Sequence, residues 1–143
     1  MQPVVYANDQ SHRRTILLVE DEPFVREATC SILENAGFCV LSATDACQAL
    51  RLYEECNRPI DLIMTDMVLP GKTGQELGAD LRTRSSQLKI LVTSGYGNAE
   101  YDTEDVANRT YFLSKPYSRR SLVEKIEKIL SPQILEHSAT QAS

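Results

Sequence analysis

Acidic side chains follow two apolar runs of this 143-residue chain, each at the point where the run ends. Glu20 and Asp21 come directly after residues 15–19, and Asp66 follows residues 62–65. The carboxyl ends of parallel strands meet at one edge of a sheet, where open α/β sheets bind ligands. Three carboxylates brought together there repel each other, so they require a proton, a cation or a basic side chain. The pattern therefore predicts an acidic site that binds a hard divalent cation.

Mg²⁺ fits such a site best, because it takes carboxylate, carbonyl and water oxygens and binds through one or two carboxylates plus a phosphate. Calcium fits less well, since no loop of alternating acidic residues is present. Lys115 follows the apolar run 111–114 and adds a charge able to attract a phosphoryl oxygen. Ser94 follows the run 90–93 and offers a hydroxyl that can donate to the same oxygen. These residues predict a phosphoryl-binding site.

Five β-rich apolar runs alternate with segments of helical periodicity between residues 15 and 130. Parallel strands need crossover connections, so the alternation predicts a parallel sheet with helices on both faces. The first, third and fourth runs are the most continuously apolar and are expected in the centre, with the second and fifth at the edges. The strand order 2-1-3-4-5 meets this requirement, with its switch point between the first and third strands. The predicted fold class is a flavodoxin-like, doubly wound α/β domain with a five-stranded parallel sheet.

The predicted helices carry apolar residues at spacings of three and four. The first begins at Pro23 and stops at Gly37, with an inner face made of Val25, Ala28, Ile32 and Ala36. A short, acidic fourth helix of weak amphipathicity is predicted within residues 98–108. A fifth helix begins near Ser118, with an inner face made of Leu122, Ile126, Ile129 and Leu130.

Length and composition predict one soluble domain, with 42% hydrophobic residues, 24% charged residues and a net charge of −5. The chain lacks the basic excess of nucleic-acid-binding domains, so no direct nucleic-acid contact is expected. No apolar run approaches the roughly 18 residues that span a bilayer, and no signal peptide is visible, which predicts a cytoplasmic protein without membrane contact. We expect a flexible leader at residues 1–14, one folded domain at 15–130 and a C-terminal tail at 131–143. The four cysteines lack the two-residue spacing of zinc or redox sites and are expected to be reduced packing residues.

The acidic, hydroxyl and lysine positions together resemble the receiver domain of two-component response regulators. The residues that carry the resemblance follow the first, third, fourth and fifth predicted strands: Glu20-Asp21, Asp66 with Pro70-Gly71 behind it, Ser94, and Lys115-Pro116. The resemblance covers residues 15–130, which makes the expected folded domain a receiver domain. It implies that Asp66 accepts a phosphoryl group from the phosphohistidine of a sensor histidine kinase or a phosphotransfer protein.

The resemblance also implies a role for each residue of the site. The Mg²⁺ ligands would be Asp21, Asp66 and the backbone carbonyl of Val68, with Glu20 acting directly or through water. Lys115 would bind the phosphoryl group.

The same resemblance implies a switch made by Ser94 and Phe112. At the position of Ser94 the family more commonly has threonine, so this chain keeps the hydroxyl. At the position of Phe112 the family frequently has tyrosine, so this chain lacks the phenolic hydroxyl. A cis peptide bond between Lys115 and Pro116 is also implied.

Each of these residues can also be interpreted as a residue that only supports the fold. Glu20 and Asp21 could satisfy the N-terminus of the first helix, where acidic residues are favoured by the helix dipole. Lys115 could be a solvated charge, Ser94 a turn residue and Phe112 a core residue. The joint occurrence of these residue types at the ends of four strands that are adjacent in the predicted sheet favours the functional interpretation.

The leading hypothesis is a phosphorylation-controlled signalling switch, which is not an enzyme and has at most slow self-dephosphorylation. A second hypothesis is a Mg²⁺-dependent phosphohydrolase of the haloacid-dehalogenase-like class, which carries a second aspartate two positions after its nucleophile. Val68 stands at that position, so the general acid of such an enzyme is missing. A third is a receiver fragment of a larger hybrid kinase or regulator, and a fourth is an inactive pseudo-receiver. The intact acidic residues and Lys115 count against the pseudo-receiver.

Slow self-dephosphorylation is expected because Val68 and Tyr96, which by resemblance flank the path of the attacking water, are poorly suited to activate it. If residues 1–143 are the full chain, output is expected through a protein partner, since only 13 residues follow Leu130. The expected partner surface is the fourth helix, the fifth strand and the fifth helix, which lie nearest to Ser94 and Phe112.

Overall fold

The structure is a computed structural model, and it describes residues 13–95 and 104–131. Within these ranges the secondary structure consists of seven strands, four α-helices and one short 3-10 helix. In chain order these are β1 (Thr15–Val19), α1 (Pro23–Asn35), β2 (Cys39–Ala43), α2 (Ala46–Glu55), β3 (Leu62–Asp66), β4 (Val68–Leu69), β5 (Lys72–Thr73), α3 (Gly74–Arg82), β6 (Lys89–Ser94), the 3-10 helix (Val106–Asn108), β7 (Thr110–Ser114) and α4 (Arg119–Leu130).

Five parallel strands form the main sheet in the order β2-β1-β3-β6-β7. Val19 pairs with Thr65 and Thr65 pairs with Val92, so the three central strands end side by side. Since β6 and β7 are the fourth and fifth strands of this sheet, the predicted order 2-1-3-4-5 is confirmed. The central strands β1 and β6 are buried, whereas the edge strand β2 is half-buried. This agrees with the prediction that the most continuously apolar runs form the centre of the sheet.

Helices cover both faces of the sheet, as predicted, because alternate strand residues point to opposite sides. One core cluster joins the sheet to α2 and α3 and includes Leu17, Val19, Ile63, Val92, Ala49 and Leu77. The other joins it to α1 and α4 and includes Leu18, Met64, Leu91, Leu33 and Ile126. The inner face predicted for the last helix, which is α4 here, is confirmed.

The inner face predicted for α1 is wrong at Ala28 and Ala36, which are exposed. The fully buried residues of this helix are Thr29 and Leu33, one position further along the chain. Val25 and Ile32 of the predicted face are half-buried, and Ile32 packs against the core, so the buried stripe is displaced toward Thr29 and Leu33. The reason is that Leu33 is the larger apolar anchor, whereas alanines gain little from burial.

The segment between β3 and α3, expected as a tight loop, contains a small hairpin. β4 and β5 pair antiparallel, with Val68 opposite Thr73. Gly71 turns the chain with φ +77°, a conformation that glycine adopts without steric cost. Thr73 then caps α3 through a capping box with Glu76.

The segment between β6 and β7 differs from the predicted fourth helix. Residues 98–103 of that prediction lie outside the described residues, as does Tyr96. The described part forms a 3-10 helix that Asp105 caps by accepting a hydrogen bond from Asn108 N. Asp105 and Thr110 also exchange two backbone hydrogen bonds of 2.9 Å. This local pairing takes up backbone groups that a longer helix would need, so within residues 104–108 the predicted short helix is limited to the 3-10 turn at Val106–Asn108.

Residues 1–12 of the predicted leader and 132–143 of the predicted tail lie outside the described residues. Among the helices that the structure does describe, none has the length and apolar character needed to cross a bilayer. All four cysteines are free thiols; Cys30, Cys39 and Cys56 are half-buried, but the packing role expected for Cys47 is wrong, because this residue is exposed.

Candidate functional site

The three predicted carboxylates meet at the carboxyl edge of the sheet. Glu20 and Asp21 directly follow β1, and Asp66 is the last residue of the neighbouring strand β3. One carboxylate oxygen from each of these residues lies within 4.8 Å of the others. Glu20 is buried, Asp66 is half-buried and Asp21 is exposed, so the cluster opens to solvent on one side.

Local backbone contacts hold Glu20 in its buried position. Its N–H donates to the carbonyl of Ala43 at 3.0 Å, which extends the pairing of β1 with β2 by one residue. Its own carbonyl accepts a 2.9 Å hydrogen bond from Arg26 Nη1, and its Oε2 accepts one from Glu22 N at 3.2 Å. The N-cap of α1 is Glu22. The side-chain cap of α1 is therefore supplied by Glu22, and Glu20 bonds the N–H of that cap residue.

Lys115 points into the acidic cluster. Its Nζ lies 3.3 Å from Asp66 Oδ2 and 3.6 Å from Glu20 Oε1, and its side chain is largely buried. Its backbone N–H donates to the carbonyl of Ser94 at 2.7 Å, which fixes the start of the loop after β7. The peptide bond between Lys115 and Pro116 is cis, as the resemblance implied. Lys115 is thus a half-buried counter-charge that pairs with two of the carboxylates.

Burial and neighbouring charges act on the pKa values of this cluster. Burial raises the pKa of the Glu20 carboxyl, and the negative charges of Asp66 and Asp21 add to this effect. The Glu22 N–H and the Lys115 charge oppose it without reversing it. Burial alone would lower the pKa of Lys115, but the charges of Asp66 and Glu20 raise it on balance, so the ammonium form is favoured.

The donor set fits Mg²⁺. It consists of three carboxylates close enough to share one ion, and hard divalent cations prefer such oxygen ligands. A single lysine cannot neutralise three carboxylates, so negative charge remains for a cation to compensate. The half-open position of the cluster leaves room for water and phosphate oxygens.

Ser94 and Phe112 lie on the two strands next to this cluster. Ser94 is completely buried at the end of β6 and pairs with Ser114 in β7. Phe112 pairs with Val92, and its side chain is buried in the hydrophobic core that joins the sheet to α2 and α3. Because Phe112 already has a buried position here, a switch through its side chain needs a second, outward position.

Val68 and Tyr96 are the remaining predicted residues. Val68 opens β4 two positions after Asp66, and its side chain is 68% exposed. Its carbonyl thus lies two residues beyond the acceptor along the chain, and its role as a Mg²⁺ ligand stays a prediction. Tyr96 belongs to the part of the chain that is not described.

Sequence reasoning missed several residues that support the site. Thr65 Oγ1 donates to the carbonyl of Asp66 at 3.0 Å, and Arg26 supports Glu20. At the edge strand β7, Phe112 N donates to Glu104 Oε2 at 3.2 Å, and Lys125 Nζ donates to the same oxygen. The sequence does contain a signal for Thr65, because a polar residue inside a buried apolar strand usually makes a hydrogen bond.

The fold and the site together define a receiver domain. The response regulator receiver domain family matches residues 16–127, and the chain therefore belongs to this family. Members of this family act in two-component systems, in which the receiver domain carries the phosphorylation signal.

Curated relatives carry this domain in different settings. The response regulator receiver protein CpdR of Brucella abortus is 35% identical over 119 residues, which cover 82% of this chain and 97% of CpdR. The sensor kinase CckA of the same organism is 32% identical over 128 residues, which are 89% of this chain but 14% of the kinase. The transcriptional regulatory protein AruR of Pseudomonas aeruginosa is 31% identical, and the match spans 48% of its length. The chain thus spans half or less of two of these relatives.

Solved structures agree with this assignment. The receiver domain of the hybrid histidine kinase CckA is 31% identical, with a TM-score of 0.68 over 82% of this chain and 99% of that chain. A CheY-like receiver domain protein from Methanospirillum hungatei is 28% identical, with a TM-score of 0.73 over 87% of this chain and 98% of that chain.

Proposed function

We propose that this domain is a phosphorylation-controlled switch in which Asp66 accepts the phosphoryl group. The observation that carries the proposal is the position of Lys115 Nζ, 3.3 Å from Asp66 Oδ2, beside the oxygens of Glu20 and Asp21. This arrangement combines a nucleophilic carboxylate, a fixed positive charge and ligands for a cation.

In the proposed reaction, a carboxylate oxygen of Asp66 attacks the phosphorus of a phosphohistidine. The new O–P bond forms as the P–N bond breaks, and the partner's imidazole leaves with a proton from solvent. Lys115 remains protonated and compensates the charge on the phosphoryl oxygens. The hydrogen bond from its backbone N–H to the carbonyl of Ser94 anchors the main chain from which its ammonium reaches Asp66.

Mg²⁺ would be held by Asp21, Asp66 and the carbonyl of Val68, with Glu20 bound directly or through water. When bound, Mg²⁺ neutralises negative charge that develops on the transferred group. Asp21 is suited to direct contact because it is exposed, whereas Glu20 is buried and held by the Glu22 N–H.

The proposed switch starts at Ser94. Its hydroxyl would donate to the phosphoryl group, and this new contact would favour one of two arrangements of β6 and β7. Phe112 would report the change, because its N–H and the ammonium of Lys125 in α4 share the carboxylate of Glu104. Movement of Phe112 would therefore reach α4 and the segment before β7.

The proposed partners are a sensor histidine kinase or a phosphotransfer protein upstream and a protein target downstream. Receiver domains interact with such phosphodonors, and the match to CckA supports this class. The proposed target surface is the segment before β7 together with β7 and α4, the counterpart of the predicted fourth helix, fifth strand and fifth helix.

A second setting for the same domain is a receiver within a longer hybrid kinase or regulator. The match to CckA favours this setting, since that kinase contains a receiver domain with 31% identity to this chain. Phosphoryl acceptance on Asp66 is common to both settings.

The test is labelling of the purified chain with acetyl phosphate and Mg²⁺, followed by intact-mass measurement. We expect one added phosphoryl group in wild type and in Asp80→Asn, an aspartate outside the site, and none in Asp66→Asn. Equal labelling of Asp66→Asn and wild type would refute the proposed acceptor. Rapid release of phosphate from small phosphate esters would instead favour a phosphohydrolase.

A further inference from the structure

Gly74, the first residue of α3, lies against the main chain of Asp66. A Cβ atom placed on Gly74 would stand 2.4 Å from the carbonyl oxygen of Asp66 and 3.2 Å from its carbonyl carbon. Cβ atoms do not approach backbone atoms this closely, so any side chain here requires the backbone of Asp66 to move. Gly74 does not have a positive φ, so the close approach to Asp66, and not the backbone conformation, is the reason that a glycine is needed here.

Hydrogen bonds hold the same stretch of main chain from other sides. The hydroxyl of Thr65, which is completely buried, donates to the carbonyl of Asp66 at 3.0 Å. The N–H of Gly74 donates to the carbonyl of Met67 at 2.7 Å, and Met67 N donates to the carbonyl of Thr93 at 2.8 Å. The backbone that leads from the proposed acceptor to the carbonyl of Val68 is therefore clamped between β6 and the start of α3.

Gly78 provides an internal comparison, because it lies one turn later on the same buried side of α3. A Cβ atom on Gly78 would stand 2.5 Å from Ile90 Cδ1, the end of a flexible side chain that can rotate away. Replacement by alanine raises helix propensity at both positions. Only the substitution at Gly74 requires a backbone atom next to the site to move.

We propose that Gly74 and Thr65 are positioning residues that set the main chain of Asp66, and with it the oxygens that receive Mg²⁺ and the phosphoryl group. This inference rests on the proposed function of Asp66. Neither residue contacts the reacting atoms, and both act through the Asp66 peptide. Outer groups that orient metal ligands typically change metal affinity by about 10- to 100-fold when they are removed.

The first test compares Gly74→Ala with Gly78→Ala in the full chain, at a temperature where circular dichroism shows both variants to be folded. We expect Gly74→Ala to weaken Mg²⁺ binding by about tenfold and to slow labelling by acetyl phosphate. Gly78→Ala should stay within about twofold of wild type in both measurements. Equal effects of the two substitutions, or a wild-type Mg²⁺ affinity in Gly74→Ala, would overturn the role of Gly74.

A second pair of variants decides the matter if Gly74→Ala does not fold. Thr65→Val removes the hydroxyl and keeps the shape of the side chain, whereas Thr65→Ser keeps the hydroxyl. We expect Thr65→Val to bind Mg²⁺ more weakly than wild type and Thr65→Ser to bind it as wild type does. Equal Mg²⁺ affinities in these two variants would overturn the proposal. If wild type binds Mg²⁺ but is not labelled, the proposed function fails, while the Mg²⁺ affinities still test the positioning role.

Discussion

Lys115 Nζ stands 3.3 Å from Asp66 Oδ2, and no other ammonium group in the described part of the chain forms a salt bridge with this carboxylate. The lysine and a divalent cation therefore compensate the same negative charge. Their effects can be separated, because the lysine should assist the phosphoryl group but oppose cation binding.

Replacing Lys115 with methionine tests this separation. We expect Mg²⁺ to bind at least as tightly as in wild type, because a positive charge near the ion is removed. Labelling by acetyl phosphate should slow by about tenfold or more, because the phosphoryl oxygens lose a charged partner. Isothermal titration gives the affinity and intact mass gives the rate. Lys128→Met, a substitution on the exposed face of α4, serves as the control. Weaker Mg²⁺ binding together with normal labelling would contradict the assignment.

Glu20 should make the stability of the metal-free protein depend on pH. Its pKa is raised in the folded state, chiefly by burial. The protonated carboxyl therefore makes its full contribution to the free energy of unfolding at pH values below the pKa that Glu20 has in the unfolded chain. This contribution is lost as the pH rises through the higher pKa that Glu20 has in the folded protein. We expect Glu20→Gln to be more stable than wild type at neutral pH without Mg²⁺, and to lose this pH dependence.

Urea unfolding at a series of pH values, with and without Mg²⁺, measures both effects. Glu34→Gln changes an exposed glutamate on α1 and should behave as wild type. If Glu20→Gln and wild type show the same pH dependence, burial of the Glu20 charge does not affect stability.

Ser94→Ala should separate phosphorylation from the conformational response. We expect labelling to persist, because the acceptor, the lysine and the metal ligands are unchanged. The amide shifts that labelling causes at Phe112 should largely disappear, since the new hydrogen bond cannot form. Ser94→Thr restores a hydroxyl and should restore these shifts. Identical shifts in Ser94→Ala and wild type would show that Ser94 does not transmit the signal.

Glu104 should stabilise the outer edge of β7. Its carboxylate accepts hydrogen bonds from Phe112 N and Lys125 Nζ. Glu104→Ala leaves a partly buried N–H without this partner, which should cost about 1–3 kcal/mol and speed hydrogen exchange at Phe112. Glu127→Ala, on the exposed side of α4, is the control. Unchanged exchange at Phe112 in Glu104→Ala would show that this contact is absent in solution.

The strand order and the carboxylate cluster could be predicted from sequence because both depend on short-range signals. Continuous apolar runs identify central strands, and polar residues directly after those runs must share one edge of a parallel sheet. The sequence pattern alone therefore brings Glu20, Asp66 and Lys115 together.

Features that depend on weak periodicity or close approach could not be predicted in this way. The exposed Ala28 and the buried Leu33 belong to two apolar stripes of α1 that compete for the interior. At residues 104–108 a side-chain cap by Asp105 outweighs a weak helical pattern. The place of Gly74 against Asp66 depends on how closely α3 approaches the sheet, which no spacing pattern encodes.

The most direct test of the central claim is to locate the phosphoryl group on the chain. Wild type is labelled with acetyl phosphate and Mg²⁺ and then treated with sodium borohydride, which reduces an acyl phosphate to an alcohol. Peptide mass spectrometry then identifies the reduced residue. We predict reduction at Asp66 only, and only after treatment with the phosphodonor. Reduction at another carboxylate such as Asp21, or an unreduced Asp66 in protein that carries one added phosphoryl group, would contradict the account.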